Sequence, residues 1–315
     1  MFFHLRKKQF IIDVIFFISI FILYFFIKDI KINKTLEILI CFGFISIIGI
    51  SHGALDHIKG QNYLISKKFS YPNVFFYLFY ITFIFLFFMC WILFPIISLI
   101  IFLIISSFHF GKEDIEILFD EKKKYFYTLY FLKGSLVILF PLYIFNNETN
   151  LIFNILTQTK DFLLLDKYLS QILLLCNLLI QLFLILFFLK KKLIKLTSVL
   201  IIVFQVFSVF ISFYFTNILI GFTLYFCISH SFKNIINIIY ENNKNFKIGL
   251  HKFIRDAAPL TLVTFGVLVL MIFAIINNEG LINATLKTIF IGIACLALPH
   301  IVLHFLIERS NEKKS

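Results

Sequence analysis

Polar residues along this chain fall in short clusters that separate long runs of Ile, Leu and Phe. The runs lie at about 9–27, 35–51, 74–92, 94–110, 125–145, 169–189, 196–215, 218–239, 259–277 and 285–307. Most approach the ~20 residues that a helix needs to cross the hydrocarbon core of a bilayer. Backbone N–H and C=O groups in lipid must be satisfied within their own segment, so such runs predict helices that assemble into a bundle. The expected fold is all-α: a polytopic transmembrane helical bundle of ten spans, or eight or nine if short runs merge. Residues 1–315 form a single integral-membrane domain, with short cytoplasmic tails at about 1–8 and 308–315. The second and fourth runs are short, and the tightest turns fall at Pro95 and at Thr216–Asn217.

Composition supports this pattern. Hydrophobic residues make up 61% of the chain and charged ones 15%, which leaves more apolar surface than a soluble domain can hide. A net charge of +12 would suit nucleic acid, but its placement argues against that partner. With the N-terminus inside and sides alternating, the inner segments hold Arg6, Lys7, Lys8, Lys67, Lys68, Lys122 to Lys124, Lys190 to Lys192, Lys313 and Lys314, among others. The outer loops hold only Lys28, Lys31, Lys34, Lys160 and Lys167. Such asymmetry is the positive-inside pattern, with both termini cytoplasmic. The N-terminus carries basic residues before an apolar run but no small-residue cleavage site, so it reads as a retained span. Cys41, Cys90, Cys176, Cys227 and Cys295 all lie within apolar runs, without metal-binding spacing, and read as small core residues.

Against this background the histidines stand out. His4 and His251 lie in basic, interfacial segments. The stretch "IGISHGALDHIKG" places His52 and His57 at the end of the second run, and "SSFHFGKED" places His109 at the end of the fourth. His230 lies in the second half of the eighth, and His300 and His304 lie late in the tenth. These four runs all travel from outside to inside, so their imidazoles fall in one layer, in the cytoplasmic third of the bilayer. A single intramembrane histidine often only bonds a neighbouring helix. A shared layer of them points to function, since neutral imidazole is the commonest metal ligand. His300 and His304 are one turn apart on one face. Asp56 shares the α-helical face of His52 and suits an acceptor that fixes its tautomer. Asp114 and Glu113 suit the same part for His109, or else form a solvated pair beside Lys112. Lys133 lies deep in its run and needs a carboxylate or a polar cavity. Gly53 and Ala54 would let a helix approach closely beside His52.

"SHGALDH", then "FHFG.ED" about fifty residues on, then "SHS" in a late run and "PH" in the last, resemble a known family. The likeness, from about residue 35 to 307, is to the bacterial and archaeal β-carotene 15,15′-dioxygenases of the Brp/Blh type. The resemblance implies a multi-pass enzyme of the prokaryotic inner membrane. It implies an Fe(II) cofactor, β-carotene and O2 as substrates, and two retinal molecules as product. A retinal-binding rhodopsin would be the product acceptor. Carried over by motif, His52 and His109 resemble iron ligands, and His230 matches the first histidine of a late pair. The second of that pair falls on Asn234, a departure from the family pattern. His300 then completes a four-histidine set, with His304 or His57 as substitutes, or a three-histidine site with water or Asn234.

Two other classes compete. A lipid desaturase or hydroxylase would need histidine boxes for two metals, and only "HIVLH" has that local form. A histidine-lined transporter would need carboxylates deep in several spans, and the runs are nearly free of them.

Overall fold

Lysine and proline, asparagine and aspartate open the helices, and the apolar runs carry them forward. In the computed structural model, residues 2–28, 33–119, 124–160 and 162–312 are described, and among them there is no strand. Lys31, Lys122, Lys123, Lys313 and Lys314 lie outside the described residues, as do the side chains of His4 and Lys7. Asn33 and Asp166 cap α2 (Lys34–Phe44) and α8 (Lys167–Lys190) by accepting from the Thr35 and Leu169 amides. Pro72 and Pro95 begin α4 (Pro72–Leu93) and α5 (Pro95–Ile115), where the missing N–H costs nothing. The other long helices are α1 (Phe2–Ile27), α6 (Tyr127–Ile144) and α9 (Leu196–Phe215). Thr216 and Asn217 are extended and make the expected tight turn into α10 (Ile218–Leu224).

Nine helical stretches among the described residues are long and apolar enough to cross a membrane, which fits a multi-pass membrane protein. The runs at 259–277 and 285–307 fall on one element, α12 (Phe246–Glu312). A straight helix of that length would extend for about 100 Å, some three bilayer cores. Gly280 breaks it at φ 74°, ψ 159°, a conformation that side-chain-bearing residues rarely adopt, and divides α12 into two legs. The short helix α7 (Asn146–Thr157) was not among the expected runs, because its polar residues mask it. Asn150 holds the segment before α8 by donating to the Leu165 carbonyl at 3.1 Å and accepting from the Leu164 amide at 3.1 Å.

Two stretches depart from α geometry. Between α2 and α3 (Asp56–Ser66) the chain winds into a π turn at Ile45–Gly49 and then a 3-10 turn at Ser51–Leu55. A second π segment, Tyr225–Phe232, joins α10 to α11 (Lys233–Asn242). The two pack together so closely that a Cβ on Gly49 would lie 2.5 Å from the Phe226 ring. Gly53 is less confined: its Cβ would meet His300 Nδ1 at an ordinary 3.6 Å.

The tightest helix contact joins α5 to α6. A Cβ on Gly111 would lie 1.7 Å from the Tyr130 carbonyl oxygen, and one on Gly134 would lie 1.8 Å from that of Ser107. Small residues of this kind let helix backbones touch in lipid. The contact also brings Lys133 against Asp114, at 3.0 Å, which names the partner that Lys133 needs. Lys233 meets Asp13 of α1 at 2.7 Å, and Gln205 of α9 donates to the same carboxylate at 2.8 Å. Lys287, the other lysine within a run, pairs with Glu279.

Gly134→Val should therefore separate α5 from α6 and cost more than the ~1–3 kcal/mol of ordinary overpacking. The expected result is a lowered Tm in detergent by circular dichroism. A Tm equal to wild type would show that the two backbones do not touch.

Candidate metal centre

The local winding of the chain decides where the imidazoles point. In an α-helix, His52 and Asp56 would share a face. Through the 3-10 turn, at three residues per turn, positions four apart differ by about 120°. Asp56 accordingly faces His300 of α12, and its Oδ2 accepts from His300 Nδ1 at 2.7 Å. Tyr80 of α4 donates to the same oxygen at 3.0 Å. His52 is held by a different acceptor, the Gly49 carbonyl, at 2.7 Å from Nδ1. That carbonyl is free because the chain changes winding beside it: the Gly53 amide bonds Ile50 instead, at 3.1 Å. Ser231 of the second π segment also donates to Gly49, at 2.8 Å. One carbonyl thus fixes the His52 tautomer and ties together the two irregular segments.

His52, His109, His230 and His300 come together from four separate elements. The His52 ring centroid lies 5.2 Å from that of His230 and 5.3 Å from that of His300. The His109 ring has the same two neighbours, also at 5.2 and 5.3 Å. All four contacts are edge-on, with interplanar angles of 72–90°. This closed circuit of imidazoles turned across one another is what convergent ring nitrogens require. His230 is clasped by Phe110 and stacked on Phe226, and only 1% of its side chain is exposed.

His57 and His304 lie at the margin. His57 Nδ1 bonds the Ala54 carbonyl at 2.8 Å, and its ring lines the neighbouring cavity. His304 Nε2 stands 3.6 Å from Asp56 Oδ1, and its side chain is 35% exposed. Asp114 does not serve His109. It accepts from Lys133 and from Tyr225, each at 3.0 Å, and Tyr225 lies alongside the His230 ring. Glu113 does lie at the cluster, 3.8 Å from His109 Nε2 and 3.7 Å from His230 Nε2. Asn234 donates to Glu113 Oε2. Sequence reasoning missed Tyr80, Tyr225 and Gly49. Tyr80 and Tyr225 each carried a signal, as a polar group within an apolar run.

The donor set suits a metal. His300 Nε2 and His304 Nε2 are buried and have no hydrogen-bond partner, an expensive condition for ring nitrogens in an apolar interior. Ligand-capable atoms of His52, His109, Glu113 and His230 lie within 4.8 Å of one another, and so do those of Asp56, His300 and His304. Hydrogen bonds to Gly49 and Asp56 at Nδ1 leave the Nε2 lone pairs of His52 and His300 available.

The four imidazoles open onto a cavity of about 630 Å3, within the range of ligand pockets. Its walls are almost wholly apolar, formed by α4, α5 and both legs of α12. Along α4 it reaches from Phe76 to Phe88, about 18 Å of helical rise, so the cavity is elongated. Ile81, Phe85, Val263 and Val267 line it and are also more than half exposed, which places an opening on the apolar flank between α4 and α12.

Residues 44–308 match the family described as Beta-carotene 15,15'-dioxygenase, and the chain belongs to that family. No curated protein and no solved structure matches it.

Asp56→Asn keeps the size of the side chain but removes the charge behind His300. It should weaken binding of a divalent metal about 10–100-fold, read by competition with a chromophoric chelator. Wild-type affinity would detach Asp56 from the centre.

Proposed function

We propose that this member of the β-carotene 15,15′-dioxygenase family cleaves the central double bond of β-carotene with O2 at an iron ion, giving two molecules of retinal. The observation that carries the proposal is the convergence of four imidazoles on the wall of an elongated apolar cavity. Imidazole donors suit Fe(II), and no thiolate belongs to either ligand cluster among the described residues. His52, His109 and His230 would hold the ion, with His300 as the fourth imidazole. When bound, iron supplies the activation of O2 that the side chains cannot perform. One O2 accounts for both product carbonyl oxygens, so no separate reductant is needed.

The rest of the work falls to the protein. Gly49 fixes the tautomer of His52, and Asp56 fixes that of His300. A hydrocarbon substrate offers no polar handle, so the Phe, Ile and Leu walls must align it by shape. The flank opening between α4 and α12 gives a lipid-dissolved polyene a route that avoids water. Because the imidazoles line only part of the cavity, the substrate must lie displaced or tilted to bring its central bond to them. We place the enzyme in a prokaryotic inner membrane with both termini cytoplasmic, on the bias of its loop charges. A retinal-binding rhodopsin is the product acceptor this reading favours.

A two-metal desaturase or hydroxylase gains some support from the second cluster of Asp56, His300 and His304. The 2.7 Å bond between Asp56 and His300 makes that cluster a support for the first. The transporter reading is weaker, since the buried carboxylates Asp13 and Asp114 already face lysines.

Expression in carotene-producing bacteria tests the proposal. Wild type should bleach the cells and accumulate retinal, while His52→Ala and His109→Ala should abolish both. Purified protein that retains iron yet leaves β-carotene intact would sink the reading. Ala297→Phe places a ring at the cavity wall. It should lower cleavage at least about tenfold, a barrier increase near 1.4 kcal/mol, with metal retention unchanged. Unimpaired cleavage would mean that the substrate lies elsewhere.

A further inference from the structure

Glu113 has no part in the proposed mechanism, yet it lies against the imidazoles. It stands one turn beyond His109 on α5, with Oε1 3.8 Å from His109 Nε2 and Oε2 3.7 Å from His230 Nε2. Both separations are too long for hydrogen bonds. Two donors sharing an ion through bonds of ~2.1 Å lie about 3.0–3.4 Å apart. A shift of a few tenths of an ångström would therefore bring each carboxylate oxygen and the ring nitrogen it faces to the separation of two ligands of one ion.

The charges around Glu113 point the same way. Lys112, its neighbour in sequence, bonds Glu308 and lies 4.0 Å from Glu116. Lys133 faces Asp114, and Lys233 faces Asp13. Among the described residues no lysine or arginine forms an ion pair with Glu113. Its polar neighbours include the imidazoles of His52, His109 and His230 and the amide of Asn234. A largely buried carboxylate without a cation is costly, and a bound dication would remove that cost.

We infer that Glu113 is itself a metal ligand, completing a three-imidazole, one-carboxylate set with His52, His109 and His230, and that Asn234 aims it. This rests on the metal-dependent reading above and deepens it. His300 is then a further donor rather than the group that completes the set. Asn234, at the position where the resemblance expects an imidazole, holds an anionic ligand in place of being a neutral one. One carboxylate among the ligands halves the formal charge of a bound divalent ion.

Cobalt(II), added to purified metal-free protein in detergent, reports both affinity and coordination through its visible d–d bands. Glu113→Gln should lower Co(II) affinity at least about tenfold and change the band pattern. Asn234→Ala should lower affinity but keep the pattern, because the carboxylate is still present. Wild-type affinity and bands in Glu113→Gln would overturn the inference. Should that variant fail to fold, wild-type affinity in Asn234→Ala would overturn it instead. Wild type that does not bind Co(II) would also overturn it. Retinal formation separates this inference from the cleavage reading. Wild type that binds Co(II) through Glu113 but forms no retinal when loaded with iron loses only the cleavage reading. A Glu113→Gln protein with wild-type bands that still forms retinal loses only the ligand.

Discussion

A charge held in hydrocarbon has no water to turn to, so the most deeply buried lysines of this bundle each face a carboxylate. Asp114 faces Lys133, and Asp13 faces Lys233, in pairs whose side chains are at most 2% exposed. Removing one partner of such a pair typically costs about 3–5 kcal/mol, because the other is left buried and unpaired. The pairs therefore fix geometry even where their net contribution to stability is small. Asp114 adjoins Glu113 and lies five residues after His109, and Lys233 lies three residues after His230. The same contacts that hold α5 to α6 and α1 to α11 thus set the rotation of α5, which carries His109, and of the turn into α11 that carries His230. Tyr225, donating to Asp114 from the π segment, joins the two sets.

The irregular windings serve the same end by a different route. A regular α-helix engages each carbonyl with the amide four residues on, so a side chain that bonds it must share the acceptor. Where a π turn passes into a 3-10 turn at Gly49, one carbonyl is released, and His52 and Ser231 both take it. A histidine within a span can then orient itself on its own backbone, without another buried polar side chain. Glycine is needed at this position because Phe226 occupies the space of a Cβ. Isolated π turns are uncommon and often fall at functional sites. Here both lie against the imidazole circuit, one preceding His52 and the other containing His230.

Much of this was legible from the chain. The apolar runs located the long helices, and the turns at Pro95 and Thr216–Asn217 fell where expected. The histidines could be grouped because one run after another ended in them. Three features escaped, each for a stated physical reason. Asp56 was paired with His52 by α-helical spacing, and a local change of winding turned it toward His300. Gly111 and Gly134 lie on different helices, and their contact depends on how α5 and α6 cross. The bond between Asn234 and Glu113 joins residues 121 positions apart, and neither side chain alone suggests the other. Pairings of this kind belong to tertiary structure, which periodicity within a segment does not encode.

The arrangement also separates polar from apolar work within one small volume. Along α4, Tyr80 donates to Asp56, while Phe85 and Phe88 form bare cavity wall one to two turns further on. Hydrogen bonds to Gly49 and Asp56 orient the imidazoles and engage these acceptors where they border the cavity, while the rest of the wall stays apolar. Among the buried polar atoms that this layer leaves without a hydrogen bond are His300 Nε2, His304 Nε2 and Asp56 Oδ1. Of the two nitrogens of His300, Nδ1 is engaged by Asp56, so the lone pair on Nε2 is the one left for a further partner.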